Sequence, residues 1–421
     1  MKKLMMLGAG SCQLNAIKKI KELGYTAVVS DNQLTSPGKK IGDVSVLADT
    51  FSFVETCESA IEHKVDGIMT SGTDQPVLIV NQVADRLNLP RLLPVQTALS
   101  VTNKKEMKRR FTENGIPTTA YAVCDATFKD EDIAHVGAPY VIKPLDSQGQ
   151  RGIFKVDSVE EIRQKFPEVL LYSRSNEILI ESYYKNEEVT VTGWVDEGRL
   201  QILTITDRVT FSSDDHIGVC LSHEYPSRHL PIYRAEFFKI TERICMSFEI
   251  ENGPIYFQYL VGDQGVLVNE IACRIGGAYE DVFVPAVTGV DLLTLNILST
   301  VEPTSKVLKQ EKEELSSYRY SEMGLRISVQ LFFCRPGHIK TLTPRDELVA
   351  QPYILDMGYN INEGVSLNTI ENASQRAGFV IVCGNTEDEM QSNIRRTFEQ
   401  LQVLNNENEN LIIKHQRKYR A

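Results

Sequence analysis

The 421-residue chain carries no excess of basic residues: 45 Lys and Arg stand against 56 Asp and Glu, a formal net charge of -11. That balance argues against a general nucleic-acid binder, while one local basic pocket for a small anion stays compatible with it. Paired cysteines are missing as well. Cys12, Cys57, Cys124, Cys220, Cys245, Cys273, Cys334 and Cys383 are scattered singly, with no Cys-x-x-Cys. A zinc site or disulfide framework is therefore not expected, and buried free thiols in a reducing compartment are. No apolar run reaches the ~20 residues of a membrane-spanning helix. The opening MKKLMMLGAG is soon broken by polar residues and lacks a cleavage-like site, so it reads as a buried strand rather than a signal peptide. A cytoplasmic protein with no membrane or nucleic-acid partner is the expectation. No internal repeat is visible.

What is present is a rhythm. In the first hundred residues, LMMLGAG, TAVVSD, VSVLAD and VDGIMTSG read as short apolar strands. Between and after them, residues 13–23, 53–63 and 75–89 show helical spacing. Strand–helix alternation of this kind implies a parallel sheet covered on both faces. NKKEMKRRFTEN, from Asn103 to Asn114, reads as a basic helix ended by Gly115. Residues 121–181 build a small α+β unit. Residues 189–206 alternate as a hairpin turning near Glu197-Gly198, residues 231–250 are helical, and residues 256–271 form a second hairpin. Residues 301–322 are charged and polar, and read as an excursion or linker into a last domain with strands ISVQLFFC and GFVIVCG and a helix from Glu387 to about Leu401. A chain of this length is expected to hold two or three domains.

Two stretches carry most of the chemistry. PYVIKPLDSQGQRGIFKV (139–156) is a strand ending on Lys143, followed by a polar loop with Ser147, Gln148, Gly149 and Gly152. A strand-end lysine and loop amides can hold phosphates. YFQYLVGDQGVLVNEIACRIGG (256–277) is a hairpin that sets Gln258 and Glu270 on facing strands, with Arg274 and the pair Gly276-Gly277 beyond. An amide oxygen and a carboxylate can hold magnesium when phosphate oxygens complete the shell, and an arginine can neutralise a transferring phosphoryl group. The bland reading of Glu270 is a charged strand residue, but its apolar neighbours mean that the carboxylate needs a partner.

Weaker signals surround these. Lys104 alone reads as a solvated helix lysine. Glu181, Tyr183, Tyr184 and Glu188 lie in ILIESYYKNEEVTVTG, which suits either a nucleoside edge or a solvated acidic loop. Arg208, and His216 and His223 in SSDDHIGVCLSHEYPSRH, suit a substrate-facing loop or a solvated one, and their spacing fits no zinc pattern. Gly8-Ala9-Gly10 after the first strand, with Asp31 ending the second, invites a nicotinamide site, but Gln13 stands where the third glycine belongs. A plain tight turn is the competing reading.

In this order the motifs resemble the ATP-grasp superfamily of ligases, which includes biotin carboxylase, carbamoyl phosphate synthetase, D-alanine–D-alanine ligase and purine-pathway enzymes. NKKEMKRRFTENGIPTTAY resembles the helix opening the grasp fold, PYVIKPLDSQGQRG the lid strand and loop, ILIESYY the adenine hinge, and VNEIACRIGG the metal and catalytic strand. The resemblance implies an α/β and α+β multidomain fold. It would have a Rossmann-like parallel-sheet domain over 1–102, an ATP-grasp domain over 103–300 with a mobile lid at about 121–181, and a C-terminal α+β domain over 301–421. It implies that Lys104, Lys143, Ser147, Gln148, Gly149 and Gly152 contact ATP phosphates. Glu181, Tyr183 and Tyr184 would lie at the adenine and Glu188 at the ribose. Gln258 and Glu270 would hold Mg2+ or Mn2+, and Arg274 would stabilise the phosphorylated intermediate. Arg208, His216, His223, Gly276 and Gly277 are the substrate-side candidates. One departure stands out: Ala272 occupies a position where many members have asparagine, which leaves fewer protein ligands for a second ion. The implied reaction is phosphoryl transfer from ATP to a carboxylate, then amine attack on the acyl phosphate. Small-molecule carboxylate and amine partners are expected, and a homodimer is compatible with the sequence. A catalytically silent ATP-binding subunit and an NAD-dependent dehydrogenase built on the Gly8 turn are the rival readings.

Overall fold

The computed structural model describes residues 1–147, 149–211, 218–369 and 375–413. Gln148 and His216 lie outside the described residues.

Four parallel strands, β1 (Lys3–Leu7), β2 (Thr26–Asp31), β3 (Val44–Leu47) and β4 (Gly67–Thr70), form a sheet in the order β3-β2-β1-β4. Their near-continuous apolar runs fit strands covered on both faces: Leu4, Met5, Met6 and Leu7 are all fully buried. Helices α1 (Leu14–Glu22), α2 (Phe53–His63) and α3 (Pro76–Leu87) supply the cover. A further helix, α4 (Val95–Thr102), leads into α5 (Lys104–Glu113). Asn103 caps α5 by accepting from the amides of Lys105 and Glu106, so the helix begins on Lys104.

The second unit is an antiparallel sheet of order β5-β8-β6-β7, from β5 (Tyr121–Asp125), β6 (Tyr140–Pro144), β7 (Phe154–Val156) and β8 (Glu177–Ser182). Helix α6 (Val159–Leu170) packs on it through Ile162, Phe166 and Val169. This small sheet has its own apolar core.

The third is an eight-stranded antiparallel sheet. Its strands are β9 (Asn186–Asp196), β10 (Arg199–Phe211), β11 (Val219–Tyr225), β12 (Gly253–Gly262), β13 (Gly265–Ala272), β14 (Arg326–Phe332) and the two strands Ile354–Tyr359 and Gly378–Gly384. The β9–β10 turn falls on Glu197 and Gly198, both with positive φ, as a two-residue hairpin turn requires. Helices α7 (Leu230–Ser247) and α8 (Glu280–Thr288) flank the sheet. The last strands hydrogen-bond to β11 through β14, so the proposed boundary at residue 300 does not divide this sheet.

The charged stretch 301–322 is not plain linker. Lys306–Ser317 is a helix, capped by Ser305 and anchored by Leu308 and Leu315, two apolar positions seven apart on one face. All eight cysteines are free, seven buried and Cys12 half-buried. No single helix among the described residues is long and apolar enough to cross a membrane.

Candidate functional site

All three units contribute to one cleft of about 890 Å3. Its floor comes from β12 and β13, one wall from the small antiparallel sheet, and the far wall from the Gly8 turn and the strand approach at Arg376.

The floor is shaped by a register shift. Gln258 pairs directly with Glu270, while the next residue of β12, Tyr259, pairs with Val268. Asn269 is therefore the extra residue of a β-bulge, and both Asn269 and Glu270 reach the cleft although they are sequence neighbours. On β12, Tyr256, Gln258 and Leu260 face the cleft while Phe257 and Tyr259 enter the core, the period of two expected of a strand.

Three lysines and two carboxylates meet beside this floor, Lys108 from behind the cleft. Lys104 Nζ lies 3.0 Å from Glu270 Oε1 and donates to the Ser147 carbonyl at 3.1 Å. Lys143 pairs with Glu181 Oε2 and donates to Asn269 Oδ1 at 3.2 Å. Lys108 Nζ lies 2.5 Å from Glu181 Oε1. Burial disfavours every one of these charges, so their pairing decides the outcome. For Glu181, burial pushes the carboxyl up, but Lys108 and Lys143 outweigh it and hold it at about 2. For Glu270, burial again opposes, and Lys104 followed by Lys143 brings the carboxyl below its ordinary value. For Lys108, burial together with repulsion from Lys143 pulls the ammonium down despite Glu181.

Arg274 is held by Asp74 from the first unit: its Nε and Nη2 donate to Asp74 Oδ1 at 2.7 and 2.6 Å, and its guanidinium lies 4.4 Å from the centre of the Tyr256 ring. Glu188 and Arg208 form a pair at 2.5 Å, and Arg208 also donates to the Gly218 carbonyl at 3.0 Å. His223 is the cross-strand partner of Arg208. Burial, then Arg208 and Arg376, depress His223 well below its ordinary value, so it is neutral. The Tyr184 hydroxyl donates to the Gly265 carbonyl and accepts from the Gln264 amide, both at 2.9 Å, which ties the hinge to the β12–β13 turn.

Most predicted residues therefore converge: Lys104, Lys143, Ser147, Gly149, Glu181, Tyr183, Tyr184, Glu188, Arg208, His223, Gln258, Glu270, Arg274 and Gly277 all line the cleft. Four expectations need correction. Gly152 is not among the lining residues, and the ring of Tyr172 packs over it. Gly276 is set back also; a Cβ there would lie 2.2–2.5 Å from the Glu280 carboxylate, so its smallness makes room for that residue. The Glu181 side chain is committed to two lysines and to Thr119 Oγ1 at 2.7 Å rather than turned toward a base. The Gly8 turn is no dinucleotide site: Asp31 spends its oxygens on the Ala9 and Gln33 amides and the Ser36 hydroxyl, and the Gln13 side chain fills the space by Gly8 and binds the Ser71 carbonyl.

Sequence reading missed Lys108, Asn269, Asp74, Tyr256 and Arg376. Lys108 stood one helical turn after Lys104, and Asn269 directly before Glu270. Asp74 and Arg376 carry no local signal, because each reaches the cleft from a different unit.

The donors fit a hard divalent cation. Gln258, Asn269 and Glu270 offer oxygen atoms on adjoining strands, as Mg2+ or Mn2+ prefers. Among the described residues, no group of three or more His, Cys, Asp or Glu could hold a metal. An ion here would share its shell with phosphate oxygens.

Comparison with known families decides the class. The model of the ATP-grasp domain matches residues 136–281, and that of the L-amino acid ligase C-terminal domain 2 matches residues 329–404. The chain therefore carries an ATP-grasp domain. An L-arginine-specific L-amino acid ligase of Bacillus subtilis is 24% identical over 70% of this chain and 70% of its own length. A formate-dependent phosphoribosylglycinamide formyltransferase of Mycobacteroides abscessus is 22% identical over 47% of this chain; the match spans only about half (52%) of that relative. Among solved structures, an L-amino acid ligase from Bacillus licheniformis superposes with a TM-score of 0.78 at 16% identity, covering 96% of this chain and 99% of that one. The last likeness speaks for the fold alone. The ATP-grasp fold so identified carries the parallel N-terminal sheet and the antiparallel sheets described above.

Proposed function

We propose that this ATP-grasp ligase joins a carboxylate to an amine through an acyl phosphate, releasing ADP and phosphate, and that amino acids are its substrate class. One observation carries the reaction type: Lys104, Lys143, Arg274 and the Gln258–Glu270 pair all face one cleft. Phosphoryl transfer needs positioning and charge neutralisation above all, and these groups supply both. Magnesium, held by Glu270 and Gln258 with phosphate oxygens, would add charge stabilisation on the γ-phosphate. Lys104 and Lys143 would bind phosphate oxygens, and Arg274, fixed by Asp74 and Tyr256, would hold the transferring group. A substrate carboxylate oxygen attacks the γ-phosphorus and ADP departs. The amine nitrogen then attacks the acyl carbon, loses a proton, and phosphate leaves.

The amino-acid class is supported by the match to an L-amino acid ligase C-terminal domain and by the names of the relatives. Arg376 supports it physically. It lines the cleft, its Nε is buried without an acceptor, and among the described residues no carboxylate pairs with it. A guanidinium so placed suits the free carboxylate of an amino acid.

The test is ADP release with Mg–ATP against a matrix of amino-acid pairs and simple acid–amine pairs, with products weighed by mass spectrometry. Pair-dependent ADP release, and a hydroxamate when hydroxylamine replaces the amine, are expected. No turnover with any amino acid would reject the substrate class. Nucleotide binding without turnover on any pair would favour a silent subunit.

A further inference from the structure

Lys108 is buried behind the cleft, 1% exposed, and does not line it. Its neighbours form a closed circuit. Lys108 Nζ meets Glu181 Oε1 at 2.5 Å, and the other Glu181 oxygen meets Lys143. Lys143 donates to Asn269 at 3.2 Å. Val268, next along that strand, accepts from Thr118 Oγ1 at 2.8 Å and donates its amide to the Pro117 carbonyl at 2.7 Å. Thr118 Oγ1 accepts from Lys108 Nζ at 2.5 Å. The circuit joins α5, the small antiparallel sheet and the metal strand.

Its charge is unequal: two ammonium groups and one carboxylate leave one positive charge. A lone Lys143–Glu181 pair would fix the lysine but also cancel it, and a cancelled lysine attracts phosphate weakly. We infer that Lys108 is a positioning residue that shares the charge of Glu181, so that Glu181 can hold Lys143 in place while Lys143 stays electropositive toward the nucleotide. This rests on the proposed ATP-binding role of the cleft. Only Lys143 of the two lysines reaches that cleft, so the surplus charge is delivered there. Lys104 differs: its pair with Glu270 is one to one, and a metal ion at Glu270 would leave that lysine for phosphate.

The experiment is calorimetric titration of the full-length protein with Mg–ADP and with a non-hydrolysable Mg–ATP analogue, melting temperature being measured on each sample. No acceptor substrate is needed. Lys108→Met should weaken nucleotide about tenfold or more, because a neutral Lys143–Glu181 pair remains. Glu181→Gln should bind at least as tightly as the parent. The double variant Lys108→Met with Glu181→Gln restores one net positive charge and should return to within about threefold of the parent, at whatever melting temperature it has. A purely structural lysine would not give that rescue. Unchanged affinity in Lys108→Met, or a folded double variant no better than Lys108→Met, overturns the inference. If Lys108→Met does not fold, the double variant is compared with Glu181→Gln. Near-equal affinities support the inference, and a tenfold loss overturns it. If the parent binds neither nucleotide, the ATP reading itself falls and takes this inference with it, whereas a binding parent with indifferent variants removes the inference alone.

Discussion

Lys104 and Glu270, the first residue of α5 and a residue near the end of β13, form an ion pair at 3.0 Å. Burial opposes both charges, yet the attraction between them raises the lysine and, with Lys143, lowers the carboxyl. The cleft thus favours the ionised form of Glu270, the form that a divalent ion would need. Glu270→Gln retains the shape and a hydrogen-bond acceptor for Lys104 while removing the charge a divalent ion needs. ATP turnover should fall by about a hundredfold or more, with the circular dichroism spectrum unchanged. Gln258→Ala should be milder, since an amide oxygen offers less charge. Full turnover of Glu270→Gln at ordinary magnesium rejects the assignment.

Arg274 is gripped by Asp74 through two nitrogens, which fixes the guanidinium plane. A lysine cannot copy that fork. Arg274→Lys should lower kcat far more than it raises the Kd for ATP, a loss of about 2–4 kcal/mol in transition-state stabilisation. If Arg274 only fastens the first unit to the sheet, the melting temperature drops and the turnover of the folded fraction stays normal.

Arg376 reaches the cleft from the segment just before the strand Gly378–Gly384. Arg376→Gln should raise the KM of one amino-acid substrate by about tenfold or more, the scale of a lost charge-assisted bond, and leave nucleotide affinity unchanged. Equal effects on ATP and amino acid would place it with the nucleotide instead.

Acid stability should depend on Glu181. Its carboxyl is held at about 2 against an ordinary 4.5, so its ionised form stabilises the fold above pH 4.5. That contribution, roughly 3 kcal/mol, is lost as the pH falls from 4.5 toward 2. Urea titrations between pH 2 and 6 should show this limb in the parent and a flatter one in Glu181→Gln; parallel limbs refute it.

Gly276→Ala would drive a methyl group to 2.2–2.5 Å from the Glu280 carboxylate, which is fully buried and donates nothing but accepts from the Ala278 amide at 2.8 Å. Overpacking of this kind costs about 1–3 kcal/mol. A melting temperature equal to that of the parent would mean that the α8 start can shift freely.

By itself the sequence determined the local elements and the chemistry they carry. The alternation of strands and helices announced the parallel sheet, the turn residues Glu197-Gly198 placed a hairpin, and the turn at Gly262–Gly265 put Gln258 and Glu270 on facing strands. Glu270 was legible because a charge inside an apolar run must answer to something, and Lys143 because it ends an apolar strand before a polar loop. Tertiary structure decided the rest. The plain register from the turn would set Gln258 opposite Asn269; a bulge that no local pattern encodes sets Glu270 there instead, so that both neighbours face the cleft. Asp74 meets Arg274, 200 positions away, and Arg376 shares the cleft with the Gly8 turn; such meetings depend on how units pack, not on propensity. The same holds for Glu181: its sequence position suggested a nucleoside edge, but burial between two ammonium groups gave its carboxylate a stronger claim, since a charge removed from water is held by the nearest opposite charge.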